Sequence, residues 1–351
     1  AERLMAWLHR RRFADCRARC PFSSHETLSS LLQAKDLALS VAARLGLSGF
    51  VELGAASQGF HRSLATISTE IAALFPQTLY AIGGEAGGDA LDTVECFDVS
   101  LNTWSRAMPL NTARTGCAAV AVGDYIYAVG GCGSDGEDLR SVERLNLWEC
   151  GWQEMQPMLR GRDEVAAAVS GGQLYAIGGS HLVWPVRHVM GSAERLDPET
   201  GVWQELPRLN CERCAAAAVA TGCCVFALGG CDENGTAISS GERFDPATNQ
   251  WGSLPPMQRP RCNFAAAASK GRLIVVGGYD DHTRDIDTVE QLDPRCATLQ
   301  WQVISCVAIP RWGLRAVGRS GAVYVVGGYS NEVEIGSTDC LDSASGKWVA
   351  L

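Results

Sequence analysis

Six times along this chain an apolar run ends in a double glycine, and the six copies are almost evenly spaced. They are Leu79–Gly84 (LYAIGG), Ile126–Gly131 (IYAVGG), Leu174–Gly179 (LYAIGG), Val225–Gly230 (VFALGG), Leu273–Gly278 (LIVVGG) and Val323–Gly328 (VYVVGG). Successive copies lie 47, 48, 51, 48 and 50 residues apart. A period of this length marks an array of like units, each too small to bury its own apolar surface.

Three further features keep the same phase. An acid-x-apolar-Asp/Asn motif follows each pair, at Glu95–Asp98, Glu143–Asn146, Glu194–Asp197, Glu242–Asp245, Glu290–Asp293 and Asp339–Asp342. A tryptophan follows six residues on, or eight in the fifth copy: Trp104, Trp152, Trp203, Trp251, Trp301 and Trp348. An arginine stands 16 residues before the first glycine of five pairs: Arg114, Arg162, Arg213, Arg261 and Arg311. Each unit reads as four short strands. The first is rich in small residues, as in Val165–Val169 and Ala265–Ala268, which suits a crowded axis. The second ends at Gly-Gly, where backbone must turn or be approached closely. The third carries the acid. The fourth begins at the tryptophan, large enough to fill the wider outer space between sheets. For the first unit, an inner strand is expected at His61–Ser68.

Double glycine, spaced aromatic and a period near 50 residues resemble the kelch repeat, over about residues 62–351. The resemblance implies an all-β fold, a six-bladed kelch β-propeller at residues 61–351; residues 1–60 lack the repeat, and composition and apolar spacing predict a short helical segment there, at Ala1–Arg19 and Ser29–Leu47. Four-stranded sheets cannot cover both faces alone, and stacking them in a ring does so.

Within each unit, strands one and three start at the edge where strand two ends. That edge gathers the repeated arginines, the repeated acids and the variable loops after Gly-Gly. Arginines there are expected to grip the carboxylates of an acidic peptide or loop. Resemblance to the kelch domains of ubiquitin-ligase receptors implies the same. The residues also admit a structural reading. Each acid shares a strand face with an apolar residue two places on, so it needs a buried partner, and the arginine can supply it. Among the variable loops, Ser180–Ser192 stands out for His181, Trp184, Arg187 and His188, and Tyr279 and Tyr329 directly follow Gly-Gly. The expected partner-binding residues are Arg114, Arg162, Arg213, Arg261, Arg311, Trp184, Tyr279 and Tyr329.

Charge and motifs narrow the function classes. Residues 1–60 hold eight Lys/Arg against five Asp/Glu, so of the chain's net −9 the remainder carries −12. An acidic body argues against nucleic-acid binding. The uncharged runs Val165–Val186 and Cys214–Cys231 both contain Gly-Gly and read as strand pairs, so no membrane span is expected. No HExxH, P-loop or Gly-x-Ser-x-Gly motif occurs, and six histidines provide no copper-like cluster. No enzyme activity, catalytic residue, metal or cofactor is therefore expected. Several of the fifteen cysteines share repeat positions, as small buried apolar residues do: Cys214 with Cys262, Cys132 with Cys231, and Cys96 with Cys340. The stretch from Pro21 to Arg44 resembles an F-box. The resemblance implies that Leu28, Leu32, Leu37 and Val41 contact a Skp-type adaptor, and through it a cullin. The expected function is a protein-interaction module, the substrate-recognition subunit of a cullin-RING ubiquitin ligase, acting in cytoplasm or nucleus. The alternatives are a cytoskeletal or signalling scaffold without a ubiquitin role and, ranked last, a kelch-fold metalloenzyme.

Overall fold

The structure, a computed structural model, describes residues 78–99, 101–146, 151–183, 186–281, 284–319 and 321–351. The chain divides into two compact units, Ala1–Thr78 with Asp98–Leu101, and Leu79–Phe97 with Asn102–Leu351. The helical segment expected at 1–60, its F-box-like stretch and the strand expected at 61–68 lie outside the described residues.

The second unit is the repeat array, and it folds as an all-β six-bladed propeller. Blade one has three described strands, Thr78–Ile82, Val94–Asp98 and Thr103–Arg106. Every later blade is a four-stranded antiparallel sheet. Blade two is Ala118–Val122, Tyr125–Val129, Val142–Asn146 and Trp152–Glu154. Blade three is Ala166–Ser170, Gln173–Ile177, Ala193–Asp197 and Val202–Leu206. Blade four is Ala217–Thr221, Cys224–Leu228, Gly241–Asp245 and Gln250–Leu254. Blade five is Ala265–Ser269, Arg272–Val276, Thr288–Leu292 and Gln302–Cys306. Blade six is Arg315–Arg319, Ala322–Val326, Thr338–Asp342 and Trp348–Ala350.

The apolar core lies between blades, not within them. Alternate residues of one strand serve two interfaces. In blade four, Val225 and Ala227 pack with Tyr175 and Ile177 of blade three, while Phe226 and Leu228 pack with Leu273 and Val275 of blade five. Both faces of the second strand are thus covered, which is why it reads as an unbroken apolar run. Small residues at the axis answer to crowding. A Cβ added to Gly318 of blade six would lie 1.9 Å from the Ala268 carbonyl oxygen of blade five.

Polar ties repeat at three radii. Near the axis, the left-handed residues Glu164, Ala215, Asn263 and Gly313 form a backbone chain from blade three to blade six. Ala215 N donates to Glu164 O (3.2 Å), Asn263 N to Ala215 O (3.0 Å) and Gly313 N to Asn263 O (2.7 Å). Further out, the second glycine of each pair donates its N–H to the carbonyl of the next blade's repeated arginine. The distances are 2.8–2.9 Å at all five junctions, from Gly84–Arg114 to Gly278–Arg311. At the rim, indole N–H groups reach back one blade: Trp152 to Met108 O, Trp203 to Gln156 O, Trp251 to Pro207 O and Trp301 to Pro255 O.

The first glycine needs its positive φ and its missing Cβ. Gly130 has φ +60°, and a Cβ there would stand 2.7 Å from the Arg162 carbonyl oxygen of the next blade. Gly136, at φ +81°, has open space around it. Gly136→Ala should cost only the left-handed penalty, about 1–2 kcal/mol. Gly130→Ala should lower Tm by clearly more in thermal denaturation, because it also separates blades two and three. Equal shifts would show that the junction tolerates a methyl group.

Candidate functional site

Antiparallel pairing brings the functional edge together. In blade three Ala166 lies opposite Ile177, and Ile177 opposite Ala193. The start of strand one, the end of strand two and the start of strand three therefore meet at one end of the blade, as the sequence predicts.

The five repeated arginines lie beneath that edge, not on it. Arg114, Arg162, Arg213 and Arg261 are 0% exposed and Arg311 is 2% exposed. Arg162 shows how their donors are used. Its Nη1 donates to Gly178 O (2.6 Å) and Ser192 O (2.9 Å), and its Nη2 to Ser192 Oγ and Glu194 Oε1 (both 2.9 Å). The other pairs are Arg114–Glu143 (2.6 Å), Arg213–Glu242 (3.0 Å), Arg261–Glu290 (2.7 Å) and Arg311–Asp339 (2.6 Å). Each glutamate's second oxygen accepts a backbone N–H from the segment entering the blade: Asn111 for Glu143, Leu159 for Glu194, Asn210 for Glu242 and Gln258 for Glu290. Burial lowers the pKa of Arg162 and Arg261, and the paired glutamate opposes that shift. The expectation that these arginines grip an acidic ligand is corrected. A buried guanidinium already joined to a carboxylate has no face to offer, and the structural reading of the pair is the one realised.

What the edge does present sits one position further along. The residue after each arginine pairs with the residue after Gly-Gly in the same blade: Thr115–Cys132, Asp163–Ser180, Cys214–Cys231, Cys262–Tyr279 and Trp312–Tyr329. These five pairs lie at the same end, the mouth, of their blades; Ser180, Cys214, Cys231 and Cys262 among them are buried, and the chemistry of the layer changes from blade to blade.

In blades two and three the mouth is ionic. Cys132, Asp138 and Asp163 each place one ligating atom within 4.8 Å of the others. The Arg187 guanidinium stands among them, 2.8 Å from Asp163 Oδ2 and 3.6 Å from Asp138 Oδ1. His181 Nδ1 lies 3.0 Å from Asp138 Oδ2. Arg187 and His181 belong to a hairpin, Ser180–Val183 with Val186–Val189, whose exposed Val183 and Val186 flank its tip. Trp184 at that tip lies outside the described residues. Burial pushes Asp163 up to about 6, with the negative charge of Glu164 adding to the shift and Arg187 opposing it.

In blades four and five the thiols at these positions are packed away beneath the mouth. Cys214, Cys231 and Cys262 are buried in a cluster with Ala215 and Ala237. Burial raises the Cys214 pKa, and the neighbouring Cys262 together with burial raises that of Cys231. All twelve described cysteines are free thiols.

In blades five and six the mouth is aromatic. Trp312 stacks on Tyr329 at 4.9 Å and 22° between planes, and meets Tyr279 edge-on at 6.0 Å and 78°. All three are partly exposed. Sequence reasoning selected Tyr279 and Tyr329 and missed Trp312. The available signal was its phase, directly after Arg311 in the slot that Cys214 and Cys262 fill.

A family model described as the KLHDC2/KLHL20/DRC7 Kelch-repeats domain matches residues 69–262, and a Kelch motif model matches residues 260–307. Among curated proteins, the chain is 39% identical over 64 residues to Kelch-like protein 33 of Homo sapiens, covering 18% of this chain and 12% of that protein. It is 47% identical over 47 residues to an F-box/kelch-repeat protein of Arabidopsis thaliana, covering 13% and 12%. These matches span about an eighth of each relative's length. A solved structure titled "Structure of YjhT" superposes with a TM-score of 0.58 at 17% identity, over 68% of this chain and 84% of that one, and so shares the fold.

Two outcomes test this arrangement. Glu242→Ala should destabilise the propeller by roughly 3–5 kcal/mol in denaturant titrations, because it strands a buried guanidinium. Exposed Glu233→Ala, on the loop above, should change stability by less than about 0.5 kcal/mol. The second concerns pH. Asp163 has its folded pKa raised from 3.8, so its stabilising contribution is complete below that value and is lost as pH rises through about 6. Asp163→Asn does not titrate, so the variant's Tm minus that of the wild type should increase between about pH 4 and about pH 6. A decrease would mean that attraction to Arg187 outweighs burial.

Proposed function

We propose that this chain, which belongs to the kelch-repeat family, binds a protein partner through the loop face of its propeller and recruits that partner as a substrate of a cullin-RING ubiquitin ligase. One observation carries the binding half. The repeated polar residues are consumed by the scaffold, while the loops after Gly-Gly, which differ between blades, all emerge at one edge around the mouth. A rigid ring that presents variable loops on one face is a recognition surface. In this reading the chain carries no chemistry of its own. Tyr279, Tyr329 and the hairpin bearing Trp184 supply contacts, as aromatic anchors do at interfaces.

The ligase half is supported by the short likenesses to a kelch-like protein and an F-box/kelch-repeat protein, together with the F-box-like stretch from Pro21 to Arg44. In that role the chain works in cytoplasm or nucleus, with a Skp-type adaptor or a cullin as its second partner. No helix among the described residues is long and apolar enough to cross a membrane.

The full chain, co-expressed with a Skp-type adaptor and a cullin, should co-purify with them. Leu28→Ala with Leu32→Ala should abolish the association and leave the Tm of the propeller unchanged. A chain that captures partners through its loops but never an adaptor or cullin is a scaffold, and the ligase role falls. Val183→Asp with Val186→Asp, at positions 56% and 52% exposed, should reduce capture of loop-face partners with little change in Tm. Unchanged capture by this variant and by a Tyr329 variant would move binding off this face.

A further inference from the structure

The loop face is far more acidic than the rest of the molecule. In chain order the loops Glu85–Asp92, Cys132–Ser141, Ser180–Ser192, Cys231–Gly241, Tyr279–Thr288 and Tyr329–Ser337 carry three, three, none, two, four and two carboxylate residues. That is fourteen acids against three arginines and no lysine. Two of those arginines are engaged. Arg187 is held by Asp163, and Arg140 donates its Nε to the Met158 carbonyl. The five repeated arginines, which would have offset part of this charge, are buried beneath it. Such a field attracts cations and repels acidic ligands.

The field meets the aromatic part of the mouth at blades five, six and one. Trp312 is clasped between Tyr279 and Tyr329. The Tyr279 backbone pairs with that of Cys262, whose Sγ donates to the Tyr279 carbonyl at 3.7 Å, and this fixes one end of the stack. At the other end Tyr329 pairs across its hairpin with Glu334, and burial, with the negative charges of Glu334 and of Glu85 in blade one, raises its pKa. Both glutamates are exposed. A third carboxylate is tied close by, since Asn331 N donates to Asp285 Oδ2 at 3.0 Å and joins the loops of blades five and six. The nearest inner-strand cation of blade six, Arg315, folds its Nη1 back onto the Leu314 carbonyl at 3.0 Å.

A half-exposed aromatic stack beside carboxylates is a combination with a specific guest. The π-faces and ring edges take a flat or compact cation, and the carboxylates supply its counter-charge. We propose that Tyr279, Trp312 and Tyr329, with Glu334 beside them and Glu85 facing the same region from blade one, form the seat for an arginine or lysine side chain from a basic loop or terminus of the protein partner. The inference rests on the reading that the loop face binds protein, and it names the chemistry of the bound segment: cationic, not acidic.

The test uses short fluorescent Gly/Ser peptides bearing arginines, lysines, citrullines or glutamates, titrated against the full chain at physiological salt by polarisation. Arginine and lysine peptides should bind, and citrulline and glutamate peptides should not. Tyr329→Leu should weaken the arginine peptide about five-fold, and Tyr329→Phe should restore it, as expected for a ring contributing about 1 kcal/mol. The double variant E85Q/E334Q should weaken binding about ten-fold, whereas E137Q/E233Q, the same charge change elsewhere on the face, should stay within about two-fold. Thermal melts confirm that each variant is folded. Equal binding of the glutamate peptide, or equal losses in the two charge doubles, would overturn the seat. A partner captured through the loop face but lacking any basic segment defeats this proposal and leaves the protein-binding reading standing. Capture insensitive to every loop-face substitution defeats that reading instead.

Discussion

The buried ion pair between the repeated arginine and the repeated acid is the constraint on which the rest of the propeller depends. Each guanidinium joins the end of the second strand, through the Gly-Gly carbonyl, to the start of the third, through the acid. The same residue's backbone carbonyl receives the N–H of the preceding blade's second glycine. The acid then holds the segment that enters the blade. One pair therefore ties two strands, a crossover and a neighbouring sheet. Removing such charges from water is expensive, and the arrangement is tolerable because the Nη donors and both carboxylate oxygens are engaged, although Nε of Arg213 and of Arg261 is buried without a partner. Blade six departs slightly. Its acid is Asp339, one methylene shorter and 20% exposed, and its pair is the most open of the five.

The apolar core has the same non-local character. Layers of Val, Leu, Phe and Ala lie between sheets, so a blade owns half of each core it touches. Small residues crowd the axis and tryptophans fill the rim, and the indole N–H groups bolt each rim to the blade before it. With stability drawn from contacts between units, side chains at the loop edge are released from structural duty. Recognition can then vary without disturbing the frame, and this end of the blades passes from ionic, over buried thiols, to aromatic within one regular scaffold.

How much of this was legible depended on repetition. The blade count, the strand that ends at Gly-Gly, the outer tryptophan and the small inner strand could all be read because six copies fell in phase. The 16-residue interval from arginine to glycine was visible too, and its meaning is now plain: it is the span of the bond from Nη1 to the glycine carbonyl. The role first given to those arginines was wrong, because a string of letters does not say on which side of the loops a guanidinium lies. Trp312 was overlooked for a related reason. It fills a slot occupied elsewhere by Thr115, Asp163, Cys214 and Cys262, and only the paired strand ends show that this slot faces the mouth.

Taken alone, the sequence determined the architecture, because a period near 50 residues with phased glycine, acid and tryptophan leaves a ring of sheets as the way to cover every apolar face. It also determined the sign of the loop face, since charge can be counted without coordinates. The tertiary structure decided which charges count. Burial turned five arginines into framework, and the fold brought Glu85 of the first blade within electrostatic reach of Tyr329 of the last, a relation between residues 244 positions apart that no local pattern encodes.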